Sequence, residues 1–126
     1  MNTKAWKGSL VELRVITELI SRGYPVYSPF IQNGQADCII ETCDGFKKVQ
    51  IKTARIKSKY ENYFAQIQSR NTKKNYSLHG IDYIICEAIG KFFVLSQREF
   101  GDKPTVDLSI NKYEGKWDLL AKPVDL

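Results

Sequence analysis

The dipeptide Asp44-Gly45, set between two strand-like stretches, constrains this chain more than any other feature. Asp-Gly in that setting is a strong short-range hairpin signal, so residues 36–43 and 46–53 are expected to form antiparallel strands. With Asp44 and Gly45 as the two turn residues, Cys43 pairs with Phe46, Glu41 with Lys48, Ile39 with Gln50 and Asp37 with Lys52. The side-chain period of two then gathers Asp37, Ile39, Glu41, Lys48, Gln50 and Lys52 on one face. Asp37 is expected opposite Lys52 and diagonal to Gln50, at about 7–8 Å.

A helix is expected before this hairpin and further strands after it. Leu10, Leu13, Ile16 and Ile20 recur at helical spacing over residues 5–22, and Gly23 suits a left-handed stop. Residues 24–31 read as an edge strand interrupted by Pro25 and Pro29. Tyr63–Ser69 reads as a strand, Asn71–Ser77 as a loop. Ile81–Ala88 and Phe92–Ser96 read as a hairpin about Gly90-Lys91, and Ser96 with Glu99 has the spacing of a capping box. Val106, Leu108 and Ile110, with Gly115 and Trp117, suggest a C-terminal hairpin. The expected fold class is α/β (α+β): a mixed sheet flanked by an N-terminal helix, in a single domain over 1–126. Its core spans about residues 4–100, with 101–126 as a hairpin or tail.

The charge is concentrated in the middle of the chain. Of a net charge of +5, residues 47–74 hold nine Lys/Arg against Glu61 alone. Tyr60, Tyr63, Phe64 and Tyr76 lie within or beside that run. Cations interleaved with aromatics suit a phosphate backbone; the plainer reading is a solvated charged hairpin. No apolar run reaches the roughly 18 residues of a membrane span, and the N-terminus lacks a signal-peptide core. Three cysteines give no disulfide framework, so a reducing, cytoplasmic setting with Cys38, Cys43 and Cys86 as buried thiols is expected.

Glu12 shares the helical stripe of Val15, Ile16 and Leu19, so its carboxylate is expected to point inward beside the space left by Gly8. An inward carboxylate needs a partner. Taken singly, Asp37–Lys52 and Glu41–Lys48 could be cross-strand ion pairs, Gln50 a surface residue, and Ser9 with Glu12 a helix cap. Taken together, a carboxylate, an amide and a lysine suit metal-dependent phosphodiester hydrolysis, since oxygen ligands hold a hard cation such as Mg²⁺. A lysine beside them can stabilise developing negative charge. The single histidine, His79, excludes a multi-histidine metal site.

Lys7-Gly8-(x)3-Glu12, Gln35-Ala36-Asp37-Cys38-Ile39-Ile40 and Val49-Gln50-Ile51-Lys52-Thr53-Ala54-Arg55 together resemble the PD-(D/E)XK nuclease superfamily. Within it the sequence is most similar to the cyanobacterial group I intron homing endonucleases of this fold. Gly23-Tyr24-Pro25-Val26, Tyr76 and Asp82-Tyr83-Ile84-Ile85 extend the similarity over about residues 4–100. The resemblance implies Asp37 as the main metal-binding carboxylate and Lys52 as the catalytic lysine. It places Gln50 at the second acidic position and Glu12 as the helix glutamate, with the Ile51 backbone carbonyl completing the metal site. Ala36 replaces the motif's proline, and Gln50 keeps an oxygen ligand while removing one negative charge. The implied activity is a Mg²⁺-dependent endonuclease, with Mn²⁺ able to substitute, making double-strand breaks at specific sites in double-stranded DNA. A DNA-binding module without cleavage and a Holliday-junction resolvase are the alternatives. Lys7, Arg55, Lys57, Lys59, Arg70, Lys73 and Lys74 are the expected DNA-contacting cations. A homo-oligomer, dimer or tetramer, is expected, with Trp117, Leu119 and Leu120 as candidate interface residues.

Overall fold

The computed structural model describes residues 3–30, 36–56, 63–66, 80–101, 105–108 and 113–125. Gln35, Lys57, Lys59, Arg70, Lys73, Lys74, Tyr76, His79 and the loop expected at 71–77 lie outside them. The chain opens with α1 (Thr3–Ser21) and continues through β1 (Val26–Tyr27), β2 (Cys38–Thr42), β3 (Gly45–Thr53), β4 (Arg55–Ile56) and β5 (Tyr63–Gln66). Then come β6 (Tyr83–Ala88), β7 (Lys91–Ser96), the short α2 (Gln97–Phe100), β8 (Thr105–Asp107) and a 3-10 turn at Trp117–Leu119.

The main sheet has the order β1-β2-β3-β6-β7, and β4-β5-β8 form a smaller one. All neighbours in the main sheet are antiparallel except β3 and β6, which run parallel with Val49 beside Tyr83 and Lys52 beside Cys86. A parallel central strand is covered on both faces, so it reads as a nearly continuous apolar run, as Tyr83–Ala88 does. α1 covers one face, where Val11, Val15 and Leu19 pack on Cys38, Ile40, Val49, Ile51, Ile85 and Val94. On the other face Ile84, Cys86, Phe93 and Leu95 pack with Phe100, Val106 and Leu108.

Within the helix, the inward stripe is Val11, Val15 and Leu19, while Leu13 and Ile20 are exposed. Helical spacing alone fits either set; packing against the sheet selects between them. Of residues 24–30, Val26–Tyr27 alone form a strand, since proline has no N–H to donate and Pro25 serves instead as an acceptor for the Glu41 N–H.

Both hairpins turn one residue earlier than expected. Thr42 pairs with Gly45, so Cys43 and Asp44 are the loop residues, and the partners become Cys38↔Val49, Ile39↔Lys48 and Glu41↔Phe46. A turn centred on Asp44-Gly45 would need positive φ at both residues. Only Ile89 among the described non-glycine residues has positive φ, so Asp44 does not meet that demand; Gly45, at φ 104°, follows the turn instead. The Thr42 hydroxyl donates to the Gly45 carbonyl (2.8 Å) and accepts from the Asp44 N–H (3.1 Å), which fixes this choice. The Glu41–Lys48 pair is therefore absent, and Glu41 accepts from the Tyr27 hydroxyl at 2.9 Å. Cys43, carried to the turn, is exposed, whereas Cys38 and Cys86 are buried. The second hairpin turns at Ile89-Gly90, with Ala88 opposite Lys91.

Among the described residues no C-terminal hairpin is present. Val106 and Leu108 are drawn into the second core, β8 pairs with β5, and the 3-10 turn replaces a strand at Trp117. Leu120 is buried, and Trp117 packs on Phe92 (5.6 Å) and under the Arg22 guanidinium (4.4 Å). Both therefore serve the fold, leaving only Leu119 of the expected interface residues exposed. The capping box at the start of α2 is present: the Ser96 N–H donates to Glu99 Oε1 at 2.9 Å.

The turn geometry sets a test. Gly45→Ala is expected to lower stability by about 1–2 kcal/mol, because a Cβ at that φ is strained, while Asp44→Gly should gain nothing. Urea unfolding of both variants measures this; a gain from Asp44→Gly comparable to the glycine effect would return the turn to Asp44-Gly45.

Candidate active site

The altered register keeps every side chain on its expected face. It moves partners by two positions, and two is the period of a strand. Continuing the β2–β3 pairing beyond Cys38↔Val49 sets Asp37 opposite Gln50, with Lys52 on the diagonal. Asp37 is tied to β3 twice: its N–H donates to the Val49 carbonyl (2.9 Å), and its Oδ2 accepts from the Ile51 N–H (2.7 Å).

α1 begins at Thr3, so Ser9 and Glu12 lie inside the helix and the reading of Glu12 as a cap falls away. The Glu12 carboxyl instead lies close enough to Asp37 to raise it through charge and hydrogen bonding. Burial pushes the Asp37 carboxyl up to about 7; the Ile51 N–H opposes this, the Glu12 bond and charge add to it, and the Lys52 ammonium draws it down. Asp37 is thus in electrostatic contact with both Glu12 and Lys52.

Gln50 is buried, and its Oε1 has no hydrogen-bond partner among the described residues. An orphaned buried carbonyl oxygen is costly. It lies in register with Asp37, whose carboxyl burial pushes up. That donor set fits a hard divalent cation: Glu12, Asp37, Gln50 Oε1 and the Ile51 carbonyl could hold it through oxygen alone. No cluster of three or more His, Cys, Asp or Glu occurs among the described residues, so such a site depends on the amide and backbone oxygens. The buried thiols offer no alternative nucleophile. Burial pushes Cys38 up to about 12, helped by the charges of Asp37 and Glu12, and Cys86 up to about 12 despite the nearby Lys52.

Sequence reasoning passed over Glu87. It is 2% exposed in the middle of the sheet, where its Oε1 accepts from Arg14 Nη1 (3.1 Å) and from the Gly90 N–H (3.0 Å). The signal was a single acid inside the apolar run Ile81–Ala88. Asp82 is also structural: its Oδ2 accepts from the Lys48 N–H (2.8 Å) and its N–H donates to the Lys48 carbonyl (2.9 Å), locking β6 to β3. Of the expected DNA-contacting cations within the described residues, Lys7 and Arg55 line one groove despite their separation in sequence.

The Asp37 carboxyl makes stability depend on pH in a definite direction. Its folded value, about 7, lies above the unfolded value of 3.8, so its contribution is fully present below about pH 4 and lost as pH rises through 7. Asp37→Asn is expected to be more stabilising, relative to the parent, at pH 8 than at pH 4 in metal-free buffer. Thermal melts across that range check it; a difference that does not change with pH would contradict the burial of this charge.

A model of the PD-(D/E)XK endonuclease family matches residues 1–116 of the chain. Among solved structures, the chain is similar to one titled as a bacterial homing endonuclease, I-Ssp6803I. The TM-score is 0.71 at 18% identity, covering 93% of this chain and 91% of that one. No curated protein matches. The mixed sheet with its N-terminal helix agrees with that fold, and the family model spans the helix, the hairpin and the strand carrying Gln50 and Lys52: the chain belongs to the PD-(D/E)XK endonuclease family.

Proposed function

We propose that this protein is a divalent-metal-dependent endonuclease that cuts both strands of double-stranded DNA at specific sites, and that it acts as a homing endonuclease. The observation that carries the reading is the Glu12–Asp37 carboxyl pair in register with the unsatisfied Gln50 Oε1 and beside Lys52. A cation such as Mg²⁺ or Mn²⁺, when bound, supplies activation of the attacking water and neutralises phosphoryl charge. Glu12, Asp37, Gln50 and the Ile51 carbonyl are its proposed ligands. Lys52 contributes positive charge to the phosphate as negative charge develops there. The Ile51 N–H holds the Asp37 carboxylate in place, so its position does not depend on the cation.

The basic run at 47–74, with Lys7, supplies phosphate contacts. Cleavage of two strands needs two sites or two encounters, which favours a homo-oligomer. Among the described residues no helix is long and apolar enough to cross a membrane, and a cytoplasmic setting suits the two buried thiols. Gln50 in place of an acid favours one second reading, a DNA-binding module without cleavage.

The test is incubation with supercoiled plasmid and long duplex DNA, with and without Mg²⁺ or Mn²⁺. Linear product is expected only with the metal. Asp37→Ala and Lys52→Ala should each lose at least about 100-fold in rate while still binding DNA. Gln50→Glu should keep or raise metal affinity by restoring a carboxylate. Full turnover by Asp37→Ala would refute the site, and binding without cleavage by the parent protein would favour the second reading. Binding should also weaken steeply with salt, with a log–log slope near about −4 for four or five neutralised phosphates; a flat response would reduce the basic run to a solvated surface.

A further inference from the structure

A groove of about 550 Å³ runs between α1 and the carboxyl-terminal ends of β3 and β6. We propose that it is a second DNA-contacting surface, in which Trp6 and Ile89 lie against the duplex flanking the cut and Lys7 and Arg55 hold phosphates beside them. The proposal rests on the nuclease reading above and extends it to Trp6 and Ile89, which that reading does not use.

Charge selects the occupant. Lys7, Arg14 and Arg55 line the groove against one acid, Glu87, whose carboxylate is already met by Arg14 and the Gly90 N–H. The groove therefore presents the cations Lys7 and Arg55 to whatever enters it, which suits a polyanion. Location selects it as well. Thr53, which follows Lys52 directly, lines the groove and pairs with Glu87 of β6. Arg55 lies three residues beyond Lys52, no more than about 11 Å of chain. That corresponds to about three base-pair steps along one strand. The groove therefore borders the end of the strand that carries Lys52.

Two apolar side chains complete the surface, and the fold accounts for neither. Trp6 is 55% exposed in the first turns of α1. Ile89 is 78% exposed at the tip of the β6–β7 turn and has φ 50°, the only positive φ among the described non-glycine residues. A β-branched residue in left-handed backbone is strained, and asparagine or glycine would sit there at lower cost. Ile89 thus costs stability and returns little packing. Exposed aromatic and aliphatic side chains between cations are what stacking on bases, or wedging between them, requires.

The experiment is fluorescence anisotropy with a labelled mixed-sequence 40-bp duplex at low salt without divalent metal, on the parent, Trp6→Ala, Ile89→Asn and Leu13→Ser. Leu13 is exposed on the same helix but outside this groove. Trp6→Ala and Ile89→Asn are expected to weaken binding at least about fivefold, with Leu13→Ser unchanged. Ile89→Asn should melt at or above the parent temperature, so that its loss of binding is not a loss of fold. Parent-like affinity in both groove variants, with the parent binding DNA, would overturn this inference alone. Failure of the parent to bind any duplex would overturn the nuclease reading and this inference with it. A smaller particle mass by light scattering for the groove variants, with DNA affinity unchanged, would assign the groove to self-association and overturn the proposal.

Discussion

A carboxylate at the edge of a core holds its position only if the backbone around it supplies donors. Here the Ile51 N–H does so, at 2.7 Å from Asp37 Oδ2, while the Asp37 N–H returns a bond to the Val49 carbonyl. The pair of bonds fixes Asp37, just ahead of β2, against the far end of β3, which places it beside the strand that carries Gln50 and Lys52. α1 then has one further task, which is to bring Glu12 to Asp37. Val11, Val15 and Leu19 do this by seating the helix on β3 and β6. The Arg14–Glu87 pair ties the same helix to the end of β6. A half-buried ion pair of this kind contributes little net stability, but losing Arg14 would leave the buried Glu87 charge stranded. Its consequence is a fixed placement of the helix.

The faces of the hairpin were legible in the sequence, and its register was not. Alternation of side chains assigns faces by parity, and a slip of two leaves parity intact, so Asp37, Gln50 and Lys52 met as expected. The register depends on the sign of φ at Asp44 and Gly45, which the dipeptide leaves open; the Thr42 hydroxyl decides it. The inward face of α1 was legible for Glu12 and misassigned for Leu13 and Ile20, because helical spacing fits two stripes and only the partner sheet chooses between them. The C-terminal segment was the least legible. Its apolar residues are claimed by two different cores, a division that local pattern does not carry.

Long-range convergence is where the sequence said least. Lys7 and Arg55 were picked out as cations, and nothing in their spacing put them in one groove. Glu87 stood as an anomaly in an apolar run, yet its partners come from α1 and from a turn three residues on. The family model covers the stretch that holds Glu12, Asp37, Gln50 and Lys52. Gln50 Oε1, without a partner among the described residues, and the raised Asp37 carboxyl are two signs of one condition: oxygen donors brought together that a divalent cation would satisfy.

That condition is the central claim, and proton release on metal binding tests it most directly. With the Asp37 carboxyl near 7, a divalent cation entering at pH 7 must displace part of a proton. Calorimetric titration of Mn²⁺ into the protein, in two buffers of different ionisation enthalpy, measures that number. Roughly half a proton released per ion at pH 7 is expected by linkage, with none from Asp37→Asn. Binding without proton release, or release that survives in Asp37→Asn, would contradict the account.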